Sequence, residues 1–369
     1  MRLGRAPTAG YVVRGSAFEG MVHREMLVLT PQQATQLLAR VGAVEVLDIS
    51  VAATVNDVFR VVTRSHGVFF IKFHTARWYA DQPDTAFVAE REAAVPELLR
   101  KRGLPLPYTA WADTSRSVVS RSVFICGELE GLPVTEAAAQ FPAASGEIMR
   151  ALGRYLRRLH EIEFSSPGIL HPLHARRAAA AGAIPHVESW DDHPMHHTEH
   201  LQREALAAVA RAEGSRSLPS EIAAEMAARF AGSAEVLRPD YQPPRLTLGN
   251  CHAYHFHVAQ TARGWEVQGC YDFEAVSAGD ATIDLVELEV TLTPALRSFS
   301  WREPFFAGYG RRPALHGYAL RLVYYLLCEL DNPHTKQIPD RDWLHERWLR
   351  LLGARTWDEL TWYPVAEDT

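Results

Sequence analysis

The sequence has few cysteines and no long apolar run. Only four cysteines occur in 369 residues, Cys126, Cys251, Cys270 and Cys328, and none forms a CxxC pair. Each sits in an apolar or mixed run, which predicts buried free thiols in a reducing compartment. No segment approaches the roughly 20 consecutive apolar residues that span a bilayer, so no membrane partner is expected. The opening residues, MRLGRAPTAGYVVRG, lack the continuous apolar stretch of a secretory signal, and a cytoplasmic protein is the expectation. An excess of positive charge is missing too. Thirty-eight Lys and Arg stand against 44 Asp and Glu, a net charge of −6. A general nucleic-acid binder would carry a basic surface, so no nucleic-acid partner is expected. There is no internal repeat and no low-complexity linker.

What is present is ordinary globular material, 47% apolar and 22% charged. The length exceeds a compact domain of roughly 100–200 residues, which favours two lobes. Residues 1–29 show no clear period. Thr30 and Pro31 then open a helix that stops near Gly42. The runs VEVLDISVA, DVFRVVTR and VFFIKF are dense in β-branched and aromatic residues and predict a β-meander with a turn at Ser65-His66-Gly67. DTAFVAEREAAVPELLRKRG has helical periodicity, with Pro96 as an expected kink. SVVSRSVFICGELEG predicts two more strands. Beyond Gly131 the pattern turns helical. GEIMRALGRYLRRLHEIEF presents Leu152, Leu156 and Leu159 on one face. Helices are also expected around HLQREALAAVARAE, SLPSEIAAEMAARFAGSAEVL, TIDLVELEVTLT, ALHGYALRLVYYLLCELD and RDWLHERWLRLLG. The short strands RLTL, FHVAQT and EVQGCYDF interrupt them.

The most specific stretch is LTLGNCHAYHFHVAQTARGWEVQGCYDFEAVSAGDATIDLVELE. Taken alone, Asp272 and Glu274 read as an ordinary turn after a strand. Their spacing to Asn250, to Gly279-Asp280 and to Asp284-Leu285 says more. The stretch resembles the active-site region of the aminoglycoside phosphotransferase and choline kinase superfamily, which reads HGDxHxxNxL, a hairpin, DWE, then GDPxxDL. Leu248-Gly249-Asn250 stands where that family has HGD, so its catalytic aspartate is replaced by Asn250. His252 matches the second histidine. His255 falls on the metal-binding asparagine, a position where macrolide phosphotransferases also resemble this chain in carrying histidine. Asp272 matches the metal-binding aspartate.

The small-lobe matches follow the same order. VAATVNDVFRV resembles the nucleotide loop GxxNxxYRV, with Asn56 at its asparagine and Ala53 in place of its glycine. Lys72 in VFFIKF resembles the lysine that contacts the α- and β-phosphates. Glu92 matches the helix glutamate that pairs with it, with Glu90 as the rival. VFICGELEGLPV resembles the hinge strand, whose backbone groups from Cys126 to Leu129 would contact adenine. LGRYLRRLHEI resembles the LGxxLAxLHxI helix, including His160.

The resemblance implies an α+β, two-lobed protein-kinase-like fold: a small antiparallel-sheet lobe with one main helix, and a larger, mostly helical lobe. The implied boundaries are 1–44 for an N-terminal extension and leading helix, 45–129 for the small lobe and 130–369 for the large lobe. It further implies a phosphotransferase that uses ATP or GTP and Mg2+ on a hydroxyl of a small molecule such as an antibiotic, sugar or natural product. Phosphoryl transfer needs metal ions on the phosphates, a cation, and a group that orients the attacking hydroxyl. Asparagine can accept a hydrogen bond from that hydroxyl but cannot take its proton. Losing a general base typically costs ~10²–10⁴-fold. A catalytically impaired pseudokinase that binds nucleotide or a partner is therefore the alternative, as is a kinase-like component acting on a peptide or protein. Residues 171–200 hold seven histidines together with Trp190, Asp191 and Asp192. They are expected to form either a solvated loop or a polar acceptor pocket, with a zinc site on His196 and His200 as the remaining possibility.

Overall fold

The computed structural model describes residues 27–53, 56–74, 85–106, 109–170, 187–188, 197–238, 243–330 and 347–364. Residues 1–26, nucleotide-loop residues 54 and 55, and residues 171–186 and 189–196 lie outside these. The acceptor-pocket and zinc readings of the histidine-rich stretch therefore also lie outside.

The first element of the described residues is helix α1, Pro31–Leu38. Its start is fixed by a reciprocal cap: Gln33 N–H donates to Thr30 Oγ1, and Thr30 N–H donates to Gln33 Oε1. Strands β1 (Val46–Ala53), β2 (Asp57–Thr63), β3 (Val68–Phe73), β4 (Ala110–Asp113) and β5 (Val123–Gly127) form one antiparallel sheet in the order β1-β2-β3-β5-β4. Strand alternation sorts the side chains into two layers. Phe59, Val61, Phe69, Ile71 and Phe73 pack with Ala34, Leu37 and Leu38 of α1. The leading helix thus belongs to the core of the small lobe. On the other face, Phe70, Phe124 and Cys126 meet Ala93 of helix α2, Thr85–Lys101. Helix α2 also places Ala94, Val95 and Leu99 in the core of the large lobe, so it ties the lobes together. It runs unbroken through Pro96, whose missing N–H leaves the Glu92 carbonyl without its usual intrahelical donor.

The strand expectation for residues 117–131 needs correction. Only β5 forms there, and its second neighbour is β4, formed by AWAD at 110–113. Residues 114–122 are bends: Asp113 and Ser115 side chains satisfy local backbone and hydroxyl donors, competing with ladder bonding.

The large lobe is built on α3 (Val134–Gln140), α4 (Ser145–His160), α5 (His197–Gly214), α6 (Ser220–Ala231), α7 (Thr282–Leu296), α8 (Arg302–Tyr309), α9 (Leu315–Leu330) and α10 (Trp348–Leu352). Neither α3 nor α8 is among the helices expected from periodicity. Leu152, Leu156 and Leu159 of α4 are buried in the main core, as their spacing predicts. Two small sheets complete the lobe. Strands β10 (Phe256–Thr261) and β11 (Gly264–Cys270) form a hairpin paired with β6 (Leu132–Pro133). Strands β7 (Gly168–Leu170), β8 (Val187–Glu188), β9 (Arg245–Thr247) and β12 (Ser277–Gly279) form an antiparallel sheet in the order β8-β7-β12-β9. Among the described residues no helix is long and apolar enough to cross a membrane. Cys126, Cys251 and Cys270 are buried free thiols and Cys328 is half-buried.

Candidate functional site

A cavity of about 740 Å³ lies between the small-lobe sheet and the loops of the large lobe. Eight of the nine residues singled out in the sequence line it: Asn56, Lys72, Glu92, Cys126, Asn250, His252, His255 and Asp272. The ninth, Leu129, reaches it only through a hydrogen bond to Tyr271, which does line it.

Lys72 sits on β3, the central strand of its sheet, with neighbours on both sides. Its register places it on the same face as Phe70, toward the cavity. Three carboxylates converge on its ammonium. Asp272 Oδ1 lies at 2.5 Å, Glu274 Oε2 at 2.7 Å and Glu92 Oε1 at 3.1 Å. Asn56 Nδ2 donates to Glu274 Oε2 at 2.9 Å, fastening the start of β2 to the large lobe. Glu92, not its rival Glu90, is the partner of Lys72, and its second oxygen lies 2.9 Å from His74 Nε2. One positive charge cannot serve three carboxylates equally. Burial pushes Glu92 up to about 8 against the pull of Lys72. Burial also works to raise Asp272, but Lys72 and His255 overcome it and hold that group down at about 2. His74 is driven to about 3, chiefly by burial and then by Lys72, so it is neutral where it packs beside Glu92.

Asp272 follows β11 and has φ of +69°, a left-handed conformation unusual for a residue other than glycine. Strain of this kind clusters where a side chain must be aimed. Asn250 Nδ2 donates to Asp272 Oδ2. A carboxylate only accepts, so the Asn250 amide must face it with nitrogen, leaving Oδ1 as that side chain's acceptor atom. His255 Nδ1 lies 3.1 Å from the Asn250 carbonyl, which fixes the proton on Nδ1. Its Nε2 then carries the lone pair and stands 3.6 Å from Asp272 Oδ2. An imidazole nitrogen and a carboxylate oxygen at that separation, with the tautomer set by a backbone carbonyl, fit a divalent cation. His252 stacks on His255 with ring centroids 5.4 Å apart. It meets Tyr254 Oη at 2.5 Å and Tyr325 Oη at 3.3 Å. Burial, helped by His255, lowers it to about 3.

The loop carrying Asn250 is held from beneath by one face of α7. Asp284 Oδ2 accepts from Leu248 N–H at 2.7 Å, and Oδ1 accepts from Gly249 N–H at 3.1 Å. Glu287 Oε2 accepts from Cys251 N–H at 2.9 Å, and Thr291 Oγ1 accepts from Ala253 N–H at 2.9 Å. Positions 284, 287 and 291 share a helix face. Gly249 turns with φ of +63°, and a Cβ there would meet the Ala275 carbonyl oxygen at 2.7 Å. Asp284 also faces His160 Nε2 at 3.2 Å, while His160 Nδ1 meets Tyr309 Oη at 2.8 Å. Asp280 instead pairs with buried Arg321 and accepts from Thr282 N–H at the start of α7, a structural task. Glu287 and Thr291 escape a motif search. Their signal is the recurrence of polar residues at helical spacing from Asp284.

Chemically, the cavity combines one ammonium with the carboxyls of Glu92, Asp272, Glu274, Glu287 and Glu329. Its other end is walled by Val58, Phe70, Phe124, Cys126 and Tyr271. A flat apolar group fits that end and a polyanion the other, provided that cations offset the carboxylates.

The fold is similar to several solved structures. With wild-type aminoglycoside 2'-phosphotransferase-IIIa in complex with GDP, the TM-score is 0.54 at 15% identity, covering 88% of this chain and 98% of that one. With a thermostable mutant of aminoglycoside phosphotransferase APH(4)-Ia, the TM-score is 0.52 at 15% identity, covering 89% and 100%. With a candidate aminoglycoside phosphotransferase from Ralstonia eutropha, it is 0.52 at 13% identity, covering 88% and 96%. Likeness at these identities speaks to the fold alone. Comparison with curated proteins gives no match. The sequence matches the model of the phosphotransferase enzyme family over residues 51–321, most of its length, and the chain belongs to that family.

Proposed function

We propose that the chain is a nucleotide-dependent phosphotransferase acting on a hydroxyl of a small molecule, with ATP or GTP as donor. The observation that carries this reading is the convergence of Lys72 from the small lobe and Asp272 from the large lobe in one interlobe cavity. Residues 45–129, with α1 packed on their sheet, and 130–369 are proposed as the lobes that close on the nucleotide. In this reading Lys72 exchanges its carboxylates for the donor phosphates, and Glu92, steadied by His74, keeps the ammonium aimed. Asp272 and His255 would hold Mg2+, which offsets the phosphate charge in a cleft otherwise rich in carboxyls. Imidazole is a poorer magnesium partner than oxygen, so His255→Asn is expected to tighten Mg2+ binding and weaken Mn2+ binding, readable by titration of each ion.

Asn250 orients the acceptor hydroxyl through Oδ1. Phosphoryl transfer through a loose transition state asks little of a base until the new P–O bond has formed. The hydroxyl proton can then leave through His252 and its tyrosine neighbours to water. A group held near 3 is a weak base, so slow turnover is expected. The engagement of the Asn250 amide with Asp272 also favours a second reading, a nucleotide-binding module with impaired chemistry.

Calorimetric titration with MgATP separates these readings from their failure. Wild type is expected to bind, and Lys72→Ala and Asp272→Ala to lose at least tenfold in affinity. Equal binding by all three would overturn the assignment. ATP consumption with a panel of small alcohols and aminoglycosides, for wild type and Asn250→Asp, then decides the chemistry. Turnover by the aspartate variant alone supports the binding module.

A further inference from the structure

The cavity carries a feature at its apolar end that the phosphotransferase reading does not use. Residues 127–129 end the Cys126–Leu129 stretch whose backbone groups, by the family resemblance, would contact adenine. A purine ring nitrogen needs a backbone N–H there. Each N–H of this segment is already engaged. Gly127 N–H donates to the Thr109 carbonyl at 2.9 Å, and Glu128 N–H donates to the Val68 carbonyl at 3.0 Å. These two belong to the sheet and its edge and cannot be released without unpairing strands. Leu129 N–H is different, because it donates to the hydroxyl of Tyr271, a side chain.

Tyr271 immediately precedes Asp272 and lines the same cavity. Its ring stands edge-on to Phe70 at 5.5 Å and to His257 at 5.2 Å. It packs against the Phe70, Phe124 and Cys126 cluster that walls the apolar end. A planar ring thus lies against the apolar wall, with an oxygen on the one hinge N–H that a ligand could claim. A purine would present its own plane and ring nitrogen to the same partners.

We infer that Tyr271 is a nucleotide-selectivity residue, an internal stand-in for the base, and that purine nucleotides bind this chain only by displacing its hydroxyl from Leu129. This rests on the proposed nucleotide site and concerns its base end alone. The phosphate end, built on Lys72 and Asp272, is untouched by it. Displacing one made hydrogen bond to form another yields little net gain, so ATP should bind only modestly better than its phosphates alone.

Two ligands and two variants test this. Mg2+-tripolyphosphate probes the phosphate end and MgATP both ends, each measured by calorimetry on wild type, Tyr271→Phe and Tyr271→Leu. Tyr271→Phe keeps the ring and removes only the hydroxyl, so it leaves the packing intact. The expected result is that tripolyphosphate binds all three alike. ATP binds Tyr271→Phe roughly three- to tenfold tighter than wild type, the worth of one released hydrogen bond. Tyr271→Leu, which also clears the ring, should gain at least as much. ATP affinity unchanged in both variants, or reduced in either, overturns the inference, since the ring and hydroxyl would then be neutral to the base or would help to bind it. Failure of tripolyphosphate to bind any of the three proteins overturns the phosphate-end reading instead.

Discussion

Glu287 is a carboxyl that the cleft keeps protonated. Burial, then Asp284 on its own helix and Glu329 on α9, raise it to about 8, although the Cys251 N–H works in the other direction. Tyr325 of α9 lies beside it in the same wall. A carboxyl whose folded value exceeds its ordinary 4.5 binds its proton more tightly in the folded protein. Its contribution to stability is therefore complete below about pH 4.5 and fades as pH rises through 8. Wild type should lose melting temperature between pH 6 and pH 9, and Glu287→Gln, which keeps the acceptor for Cys251 and cannot ionise, should lose less. Parallel melting curves for the two proteins across that range would contradict the assignment. Asp272 behaves oppositely. Held at about 2, it stabilises the fold above its ordinary value of 3.8, and that contribution disappears only as pH falls through 2.

At the scale of elements, α7 decides the shape of the loop around Asn250. Its residues 284, 287 and 291 meet backbone N–H groups of Leu248, Gly249, Cys251 and Ala253. Asp284→Asn keeps the volume but turns an amide donor toward two fixed N–H donors or loses one bond. It should cost about 2 kcal/mol in a urea titration, with the slope unchanged. The sequence was informative about this region where chemistry needs rare residue types at fixed intervals. Lys72, Glu92, Asn250, His255 and Asp272 stand out because the short motifs around them, taken in order and spacing, resemble those of a known family. The same logic misses Glu287 and Thr291, whose task is to hold backbone and could fall to many polar residues. It also misses β4. AWAD carries little strand signal and becomes a strand only because β5 offers an unpaired edge, a tertiary effect that local pattern does not encode. Tyr271 lies in plain view within the motif, but its bond to Leu129 joins residues 142 apart.

At the scale of the whole molecule, the lobes meet through charge as well as through α2. Lys72 from β3 is fastened to Asp272 and Glu274, and Asn56 to Glu274. Arg91 of α2 adds a bond to the Glu274 carbonyl. Lys72→Met would leave three carboxyls around an apolar chain. The loss should be roughly 3–5 kcal/mol at neutral pH, typical of a buried pair broken on one side. Part should return as the solution is acidified toward pH 5 and the unpaired carboxyls take up protons. A melting series against pH checks this, and a constant offset from wild type at every pH would count against it. The grip of α7 on the loop has a separate consequence for how such a protein can change. The chain path around residue 250 is drawn by amide contacts on either side of it, with little call on that side chain itself. An aspartate in place of Asn250 would leave those amide contacts alone and set a second carboxylate against Asp272, so a single exchange resets the charge of the cleft without redrawing the loop.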